Sequence, residues 1–322
     1  MAPSVAIIIL CYNGVHDTLA CLRSLARITY PPEQHTIIVV DNGSSDDTVS
    51  QVRAAYPHVV ILENRANLGF AAGNNVGLRY ALNNTFAYTL LLNNDTEVDA
   101  DFLSALVDVA EASPGVGVVG PTIYYYERPD MIWSAGGGID WRRGHSVGYG
   151  HGQPDCGQYA APGAVAQVSG CALLVKRAAL ERAGLLDERF FMYYEEIEWC
   201  VRVARAGYQI LHVPASRVLH KIPLNARFDR EYLAYYMTRN RLLFLRATGA
   251  PPRVWLNALI LQDLRTYLSL VVRPKWRRRA GRQGMRLAWA DFWRGRFGML
   301  AHSLEPRPGA AAQPQSQGEP FS

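Results

Sequence analysis

The sequence has few cysteines, and they do not follow a metal-binding or disulfide pattern. The five cysteines are Cys11, Cys21, Cys156, Cys171 and Cys200. Their number is odd, their spacing is wide and no CxxC pair occurs, which argues against a zinc finger and against a disulfide framework. We therefore expect reduced thiols, several of them buried, in a cytosolic protein.

The sequence also lacks an apolar run that would span a bilayer. The first run, residues 5–11, is short and no basic stretch precedes it, so we expect a buried strand instead of a signal segment. The apolar stretch 254–272 is interrupted by polar side chains, namely Asn257, Gln262, Asp263 and Arg265. Such side chains disfavour a transmembrane helix.

Positive charge is concentrated near the C-terminus, although the net charge of +5 is modest. Between Arg273 and Arg296 nearly every charge is positive, and Asp291 is the exception. No nucleic-acid motif accompanies these residues, so we expect peripheral contact with a membrane and no nucleic acid. The pattern over 284–300 predicts a helix with one apolar face, formed by Trp289, Trp293, Phe297 and Leu300. This helix either lies on a membrane surface or packs on the core.

Apolar runs alternate with helical patterns through the first hundred residues. We predict strands over 5–10, 36–40, 59–62 and 88–92, and helices over 16–25, 45–56 and 73–82. Runs that are apolar on both faces are typical of parallel strands covered by helices, so the pattern predicts an α/β fold with a mostly parallel sheet.

The rest of the chain changes character several times. Residues 121–167 are weakly periodic and predict antiparallel hairpins, and strands follow over 168–175, 209–213 and 217–220. A helical region, which contains the run Arg239-Asn240-Arg241, follows from residue 230. We predict an α/β domain over 1–228, a C-terminal helical extension over 229–304 and a disordered tail over 305–322.

Polar residues follow each of the first four predicted strands. They are Tyr12 and Asn13, then Asp41 to Ser45, then Glu63, Asn64 and Asn67 to Gly69, then Asn93, Asn94 and Asp95. Each group alone is an ordinary turn. Because all four fall at the carboxyl edge of the sheet, where such folds bind ligands, we predict a binding site there.

An acidic stretch, Glu195, Glu196 and Glu198, directly follows a run of bulky apolar residues and opens a predicted helix. Acidic residues suit a helix N-terminus, and this alone would explain them. The aromatic neighbours are Phe191, Tyr193 and Trp199. Partial desolvation by these rings would raise the pKa of a carboxylate and make it a better base.

Several stretches, taken in chain order, resemble the family 2 inverting glycosyltransferases of the GT-A fold. They are the polar residues after the first four predicted strands, Ser169 to Ala172, Gly184 to Glu188, the acidic stretch 195–198 and His220. The similarity is greatest to a bacterial rhamnosyltransferase-like branch and covers about residues 4–245. It implies a Rossmann-like mixed sheet and transfer of rhamnose or a similar hexose from a dTDP- or UDP-linked donor to a polysaccharide or lipid-linked acceptor. It also implies a divalent cation, Mg²⁺ or Mn²⁺, and work at the inner face of the cell membrane.

The resemblance assigns a role to each site residue. Glu196 matches the base that deprotonates the acceptor, with Glu195 beside it, and which of the two acts stays open because the family usually has Asp. Asp95 and His220 match metal ligands, although the motif has one acid and Glu97 lies two residues on. Gly170 and Trp199 match the acceptor site. The donor-site matches are Tyr12, Asn13, Asp41, Asn67, Gly69, Asn74, Asn93 and Asn94.

Two other functions fit parts of the sequence. A nucleotidyltransferase would carry a basic, glycine-rich phosphate loop after the first strand, but residues 11–14 contain no Lys or Arg. A degenerate, non-catalytic module that docks on a membrane would not need the carboxylates that this chain retains.

Overall fold

The computed structural model of the chain describes residues 2–222, 230–272 and 275–300. The predicted tail, 305–322, and the predicted domain boundary near residue 228 lie outside these ranges. The strands are β1 (Val5–Cys11), β2 (His35–Asp41), β3 (Val60–Glu63), β4 (Tyr88–Asn93), β5 (Thr96–Val98), β6 (Val116–Tyr125), β7 (Arg128–Ser134), β8 (Gly137–Asp140), β9 (His145–Gly148), β10 (Gln153–Pro154), β11 (Gly163–Ala164), β12 (Ala172–Lys176) and β13 (Gln209–His220).

The helices frame the sheet and then form the C-terminal extension. They are α1 (Val15–Leu25), α2 (Thr48–Ala55), α3 (Gly69–Asn83), α4 (Phe102–Glu111), α5 (Arg177–Ala183), α6 (Glu195–Arg205), α7 (Arg230–Ala247), α8 (Pro252–Leu256), α9 (Arg265–Val272) and α10 (Lys275–Trp293). A π-helical segment, Asn257–Leu264, joins α8 to α9.

The central sheet has the strand order β10-β7-β6-β12-β4-β1-β2-β3. Strands β4, β1, β2 and β3 run parallel, and β12 is antiparallel to β4. Strand β13 runs parallel to β6 and antiparallel to β5. The predicted α/β fold with a mixed, mostly parallel sheet is therefore confirmed.

Strand β1 lies inside this sheet, between β4 and β2, and is buried on both faces. Ile7 and Ile9 belong to one core layer with Phe102 of α4, whereas Ile8 belongs to the other layer with Leu78 of α3. Successive side chains of a strand point to opposite faces, so a continuous apolar run fits only a strand covered on both sides. Burying one such side chain stabilises the fold by about 1.5–3 kcal/mol.

Several predicted boundaries are wrong. Helix α2 begins at Thr48 instead of residue 45, because Asp46 accepts hydrogen bonds from the Thr48 amide and hydroxyl in a turn ahead of the helix. The two predicted strands over 209–213 and 217–220 form the single bulged strand β13. The helix predicted over 284–300 ends at Trp293, and Gly295 and Gly298 follow with positive φ angles that break it.

Helix α10 packs on the protein instead of presenting its apolar face to solvent. Ala288 and Phe292 are buried, and the Trp289 Nε1–H donates to Asp263 at 3.1 Å. Leu300 is also buried, and Trp293 alone of the four predicted face residues is largely exposed, at 67%. For this segment the core-packing alternative is the one observed. None of the helices in the described ranges is both long and apolar enough to cross a bilayer.

Candidate active site

The loops after β1 and β2 are joined at the carboxyl edge of the sheet. The Asn13 amide donates to Ser44 Oγ at 2.9 Å, and the Ser45 amide donates to Asn13 Oδ1 at 2.8 Å. Asn13 adopts a left-handed backbone with φ of 49°, which asparagine tolerates better than most residues. Tyr12 beside it is exposed, so its ring is accessible at this edge.

Asn42 organises the loops after β2 and β3, and the sequence analysis did not select it as a site residue. Its Nδ2 donates to Asn67 Oδ1 at 3.0 Å and to the Gly69 carbonyl at 3.2 Å. Its Oδ1 accepts from Asn64 Nδ2 and from the Leu68 amide, each at 3.1 Å. The predicted donor residues Asn67 and Gly69 are therefore held together by one buried amide.

Asp41 caps the turn at the end of β2, as an ordinary turn residue would. The buried carboxylate accepts from the amides of Gly43 and Ser44 at 3.2 and 3.1 Å. It therefore shapes the loop at the end of β2, and contact with a nucleotide base stays a prediction.

The start of α3 binds a neighbouring loop and is not an open phosphate site. The amides of Phe70 and Ala71 donate to the Phe191 carbonyl at 2.6 and 3.2 Å. Gly69 has a φ of 79°, and a Cβ there would lie 2.6 Å from the Phe191 oxygen, so its close backbone approach is to Phe191. Asn74 donates to the Phe70 carbonyl, and its buried Oδ1 has no hydrogen-bond partner among the described residues.

Asp95 and His220 lie together because β5 and β13 pair with His220 opposite Thr96. His220 Nε2 is 3.2 Å from Asp95 Oδ1, close enough for an ion pair but not aligned as a hydrogen bond. Burial alone would raise the pKa of Asp95, but the adjacent imidazole outweighs it and holds that pKa below its usual value. Trp133 packs edge-on against the His220 ring, with 4.8 Å between centroids.

This pair fits part of a divalent-cation site. Asp95 Oδ1 and His220 Nδ1 are buried and, within the described ranges, have no hydrogen-bond partner. The described residues contain no cluster of three or more His, Cys, Asp or Glu side chains suited to a metal. Cations that neutralise phosphates are often bound by one or two protein groups, with phosphate oxygens and water completing the shell. Glu97, the other acid of the motif, is paired with Lys221 at 3.1 Å.

Asn93 and Asn94 hold the loop that carries Asp95. The Asn93 amide donates to the Cys171 carbonyl at 2.8 Å, which ties this loop to the segment before β12. Asn94 Nδ2 donates to Thr18 Oγ1 at 3.1 Å, which ties it to α1. The backbone N–H of Asn93 and the side-chain amide of Asn94 therefore support the loop next to the Asp95–His220 pair.

Glu195 and Glu196 form the first turn of α6, as predicted. Glu195 is 3% exposed and Glu196 is half-buried, and one oxygen of each is buried without a hydrogen-bond partner in the described part of the chain. Burial raises the pKa of Glu196 to about 7. Burial, aided by the charge of Glu196, raises the pKa of Glu195 well above its usual value. A carboxylate with a pKa near 7 is suited to accept a proton at neutral pH.

Gly170 connects these carboxylates to the Asp95 loop. A Cβ on Gly170 would lie 3.5 Å from the Glu196 Cβ and 3.0 Å from the Phe70 ring. The next residue, Cys171, accepts the bond from Asn93. Glu196 and Asp95 are thus linked through one short segment at the carboxyl edge of β4.

Trp199 does not belong to the site, and its predicted contact with the acceptor is corrected. The side chain is 0% exposed in the core, and its Nε1–H donates to the Gly184 carbonyl at 2.7 Å. Its ring therefore has no free face for a sugar. Glu198 is likewise structural, because both of its carboxylate oxygens accept from Arg202 Nε at 2.9 Å.

Two cavities lie in the described part of the helical extension. One, of about 510 Å³, is lined by Tyr267, Arg282, Gln283, Arg286 and Leu287 and contains none of the predicted site residues. The other, of about 360 Å³, includes Tyr194, Arg241 and Asp263 in its lining. Tyr194 directly precedes Glu195, but neither Glu195 nor Glu196 lines this cavity.

The sheet, with its Asp–His pair and buried carboxylates at one edge, has the GT-A architecture of glycosyltransferases. A mannosyltransferase from Pyrobaculum calidifontis, solved in complex with GDP-Man and Mn²⁺, superimposes with a TM-score of 0.58 at 18% identity, over 91% of this chain and 88% of that one. At this identity the likeness establishes the fold.

The chain belongs to glycosyl transferase family 2, whose sequence model matches residues 6–180. It is 30% identical over 249 residues to a low-salt glycan biosynthesis hexosyltransferase of Haloferax volcanii, covering 76% of each chain. It is 28% identical over 281 residues to the N-acetylglucosaminyl-diphospho-decaprenol L-rhamnosyltransferase of Mycobacterium tuberculosis, covering 77% of this chain and 85% of the relative. The protein is a hexosyltransferase, and the nucleotidyltransferase alternative is set aside.

Proposed function

We propose that the protein is an inverting transferase that moves rhamnose or a similar hexose from a dTDP- or UDP-linked donor to a polysaccharide or lipid-linked acceptor. The observation that carries the proposal is the half-buried carboxylate of Glu196, next to Gly170 and linked to the Asp95–His220 pair. The rhamnosyltransferase relative, whose name specifies a diphospho-decaprenol substrate, supports the acceptor class.

In the proposed mechanism Glu196 accepts the proton of the acceptor hydroxyl. The hydroxyl oxygen bonds to the anomeric carbon while the bond to the diphosphate breaks on the opposite face, so the configuration inverts in one displacement. Asp95 and His220 would hold a divalent cation, Mg²⁺ or Mn²⁺, which supplies charge neutralisation for the leaving diphosphate. The buried setting of Glu196 keeps its carboxylate poorly hydrated and ready to take the proton.

The stereochemistry of the product tests this mechanism. We expect the chain to transfer sugar from one member of a panel of dTDP- and UDP-sugars in the presence of Mg²⁺ or Mn²⁺. The anomeric coupling constant, measured by NMR on the first product formed, should show inversion relative to the donor. Retained configuration would contradict the single displacement, and pyrophosphate release from a nucleoside triphosphate would contradict sugar transfer altogether.

We further propose that the extension contacts an anionic membrane through an apolar stripe on the helical segment 252–272. Its members recur at every fourth residue, are 46–62% exposed and are Leu256, Ile260, Leu264 and Leu268. Arg253 and Arg265 on the same segment are also exposed. An apolar stripe with basic neighbours is typical of a helix that lies in the bilayer interface. The proposed surface is thus this stripe and not the predicted face of α10.

A triple substitution in the stripe tests the membrane contact. The variant Ile260→Glu/Leu264→Glu/Leu268→Glu is expected to lower binding to vesicles with anionic lipid by about 100-fold, because it replaces apolar contact with charge repulsion. Flotation of the intact protein with such vesicles measures the effect. Val147→Glu, which changes an exposed apolar residue on β9, is the matched control and should bind as wild type. Equal flotation of all three proteins would refute the proposal.

A further inference from the structure

The segment that leads into the carboxylates has an unfavourable backbone conformation. Phe191, Tyr193 and Tyr194 have φ angles of 66°, 67° and 76°, and none of them is glycine. Bulky residues rarely adopt such angles, and each does so at a cost in free energy. Because Glu195 follows immediately, the direction in which the two carboxylates point depends on whatever holds this segment, which we call the 190–194 loop.

Asn240 of α7 binds the backbone of the 190–194 loop through its side chain. Its side chain is fully buried, and the two hydrogens of its NH₂ group are shared among three loop carbonyls. The distances are 2.9 Å to Phe190, 2.6 Å to Met192 and 2.9 Å to Tyr193. A single amide group thus binds the carbonyl of Phe190, which ends a short 3-10 helix, and two carbonyls of the irregular residues that follow.

Arg239 fixes the orientation of that amide. Its Nε donates to Asn240 Oδ1 at 2.9 Å, so the NH₂ group of Asn240 must face the loop. Its Nη2 donates to the Phe190 carbonyl at 3.0 Å, and its Nη1 donates to the Gly298 carbonyl at 2.7 Å. The guanidinium is buried and lies over the Tyr236 ring, 4.8 Å from its centroid.

The other side of the loop is bound to the donor side of the site. The Phe191 carbonyl accepts from the first amides of α3, and Phe191 stacks on Tyr236 with 5.6 Å between centroids. The loop is therefore held between α3 and α7, and it leads directly into the first turn of α6, which carries Glu195 and Glu196.

We propose that Asn240, oriented by Arg239, is a positioning residue that holds the 190–194 loop so that Glu196 faces the acceptor. This inference rests on the proposed function, because it assumes that Glu196 is the base. Helix α7 would then help to position the catalytic base, although residue 240 was predicted to lie in the C-terminal helical extension.

Kinetics of the Asn240→Ala variant test the proposal. Misplacing a catalytic group by about 1 Å can cost about 100-fold in rate, so kcat is expected to fall by about 100-fold. The KM for the donor should change by less than about 3-fold, since the loops after β1, β2 and β3 are held by their own hydrogen bonds. Thr248→Val is the matched control. It removes another buried side-chain hydrogen bond, from Thr248 directly after α7 to the Phe244 carbonyl, without touching the loop, and should keep kcat within about 2-fold.

Asn240→Asp keeps the test valid if the alanine variant does not fold. The aspartate retains the bond from Arg239 but replaces the donor group with an oxygen that repels the three carbonyls, so kcat should again fall by about 100-fold. Circular dichroism and thermal unfolding identify the folded variants. Normal kcat in a folded Asn240→Asp or Asn240→Ala protein would overturn the inference.

A double-mutant cycle separates this inference from the proposed function. If Asn240 acts through Glu196, then Asn240→Ala should lower the residual rate of Glu196→Gln by less than about 3-fold, and the two effects will not add. Fully multiplicative effects would show that Asn240 does not act through Glu196. Undiminished activity of Glu196→Gln alone would instead refute the assignment of the base.

Discussion

Replacing Glu196 by Gln is expected to lower kcat by about 1,000-fold, since a positioned general base contributes about 100- to 10,000-fold. The substitution keeps the size of the side chain and its place in the first turn of α6 but removes its ability to take a proton. The rate is measured as release of the nucleoside diphosphate in the presence of the acceptor. Donor affinity should stay close to wild type, because the loss concerns the transition state alone.

Glu195→Gln is the matched control, and it separates the two carboxylates that the sequence left equivalent. Glu195 is almost completely buried, and its pKa is raised well above the usual value by burial and by the charge of Glu196. Both effects favour the neutral, protonated form of this carboxyl group, and a glutamine reproduces its size and that neutral form. We expect Glu195→Gln to retain activity within about 10-fold. The reverse ranking of the two variants would assign the base to Glu195.

The raised pKa of Glu196 gives the same experiment a pH dependence with a definite sign. A base must be deprotonated, so kcat/KM is expected to rise with pH through about 7 in the wild type.

The stability of the fold has the opposite dependence on pH and falls as Glu196 ionises. The unfolded chain loses this proton near pH 4.5 and the folded chain near pH 7, so ionisation lowers stability between these values. Above pH 7 the Glu196→Gln variant should be more stable than wild type, with no gain below pH 4.5.

Local sequence patterns were sufficient to predict the elements of the sheet and the edge at which the site lies. The run from Val5 to Cys11 has only apolar side chains apart from its last residue, and only a strand covered on both faces accommodates it. The carboxyl ends of parallel strands share one edge, so Asn13, Asp41 and Asp95 had to lie at that edge in any such sheet. These inferences needed only the spacing of apolar residues along the chain and the direction of its strands.

Contacts between distant segments could not be predicted in this way. Trp199 follows the carboxylates in sequence, but α6 turns it by helical geometry into the core, where it meets Gly184. Gly69 was predicted to lie at the donor site, yet the space beside it is filled by Phe191, more than a hundred residues later. Asn240 had no local signal at all, because its function depends on carbonyls of a loop that precedes it by about fifty residues.

Replacing Asp95 by Asn is expected to weaken the apparent affinity for Mg²⁺ or Mn²⁺ by about 100-fold or more. Loss of a group that merely supports a metal ligand costs about 10- to 100-fold, and here the charged ligand itself is lost. The initial rate is titrated with each cation after treatment with EDTA, and Mn²⁺ binding in the presence of the nucleoside diphosphate is followed by electron paramagnetic resonance. His220→Asn should show a similar loss.

Glu97→Gln is the control for this result, because Glu97 is the other acid of the motif and lies two residues away. Its carboxylate is paired with Lys221, and the cation dependence of the variant should match that of wild type. Wild-type affinity in Asp95→Asn combined with a loss in Glu97→Gln would transfer the ligand to Glu97. If neither variant altered the cation dependence, basic side chains would have to neutralise the diphosphate instead of a cation held by Asp95. Lys221 is not free for that role, because it is already paired with Asp17 at 3.4 Å and with Glu97 at 3.1 Å.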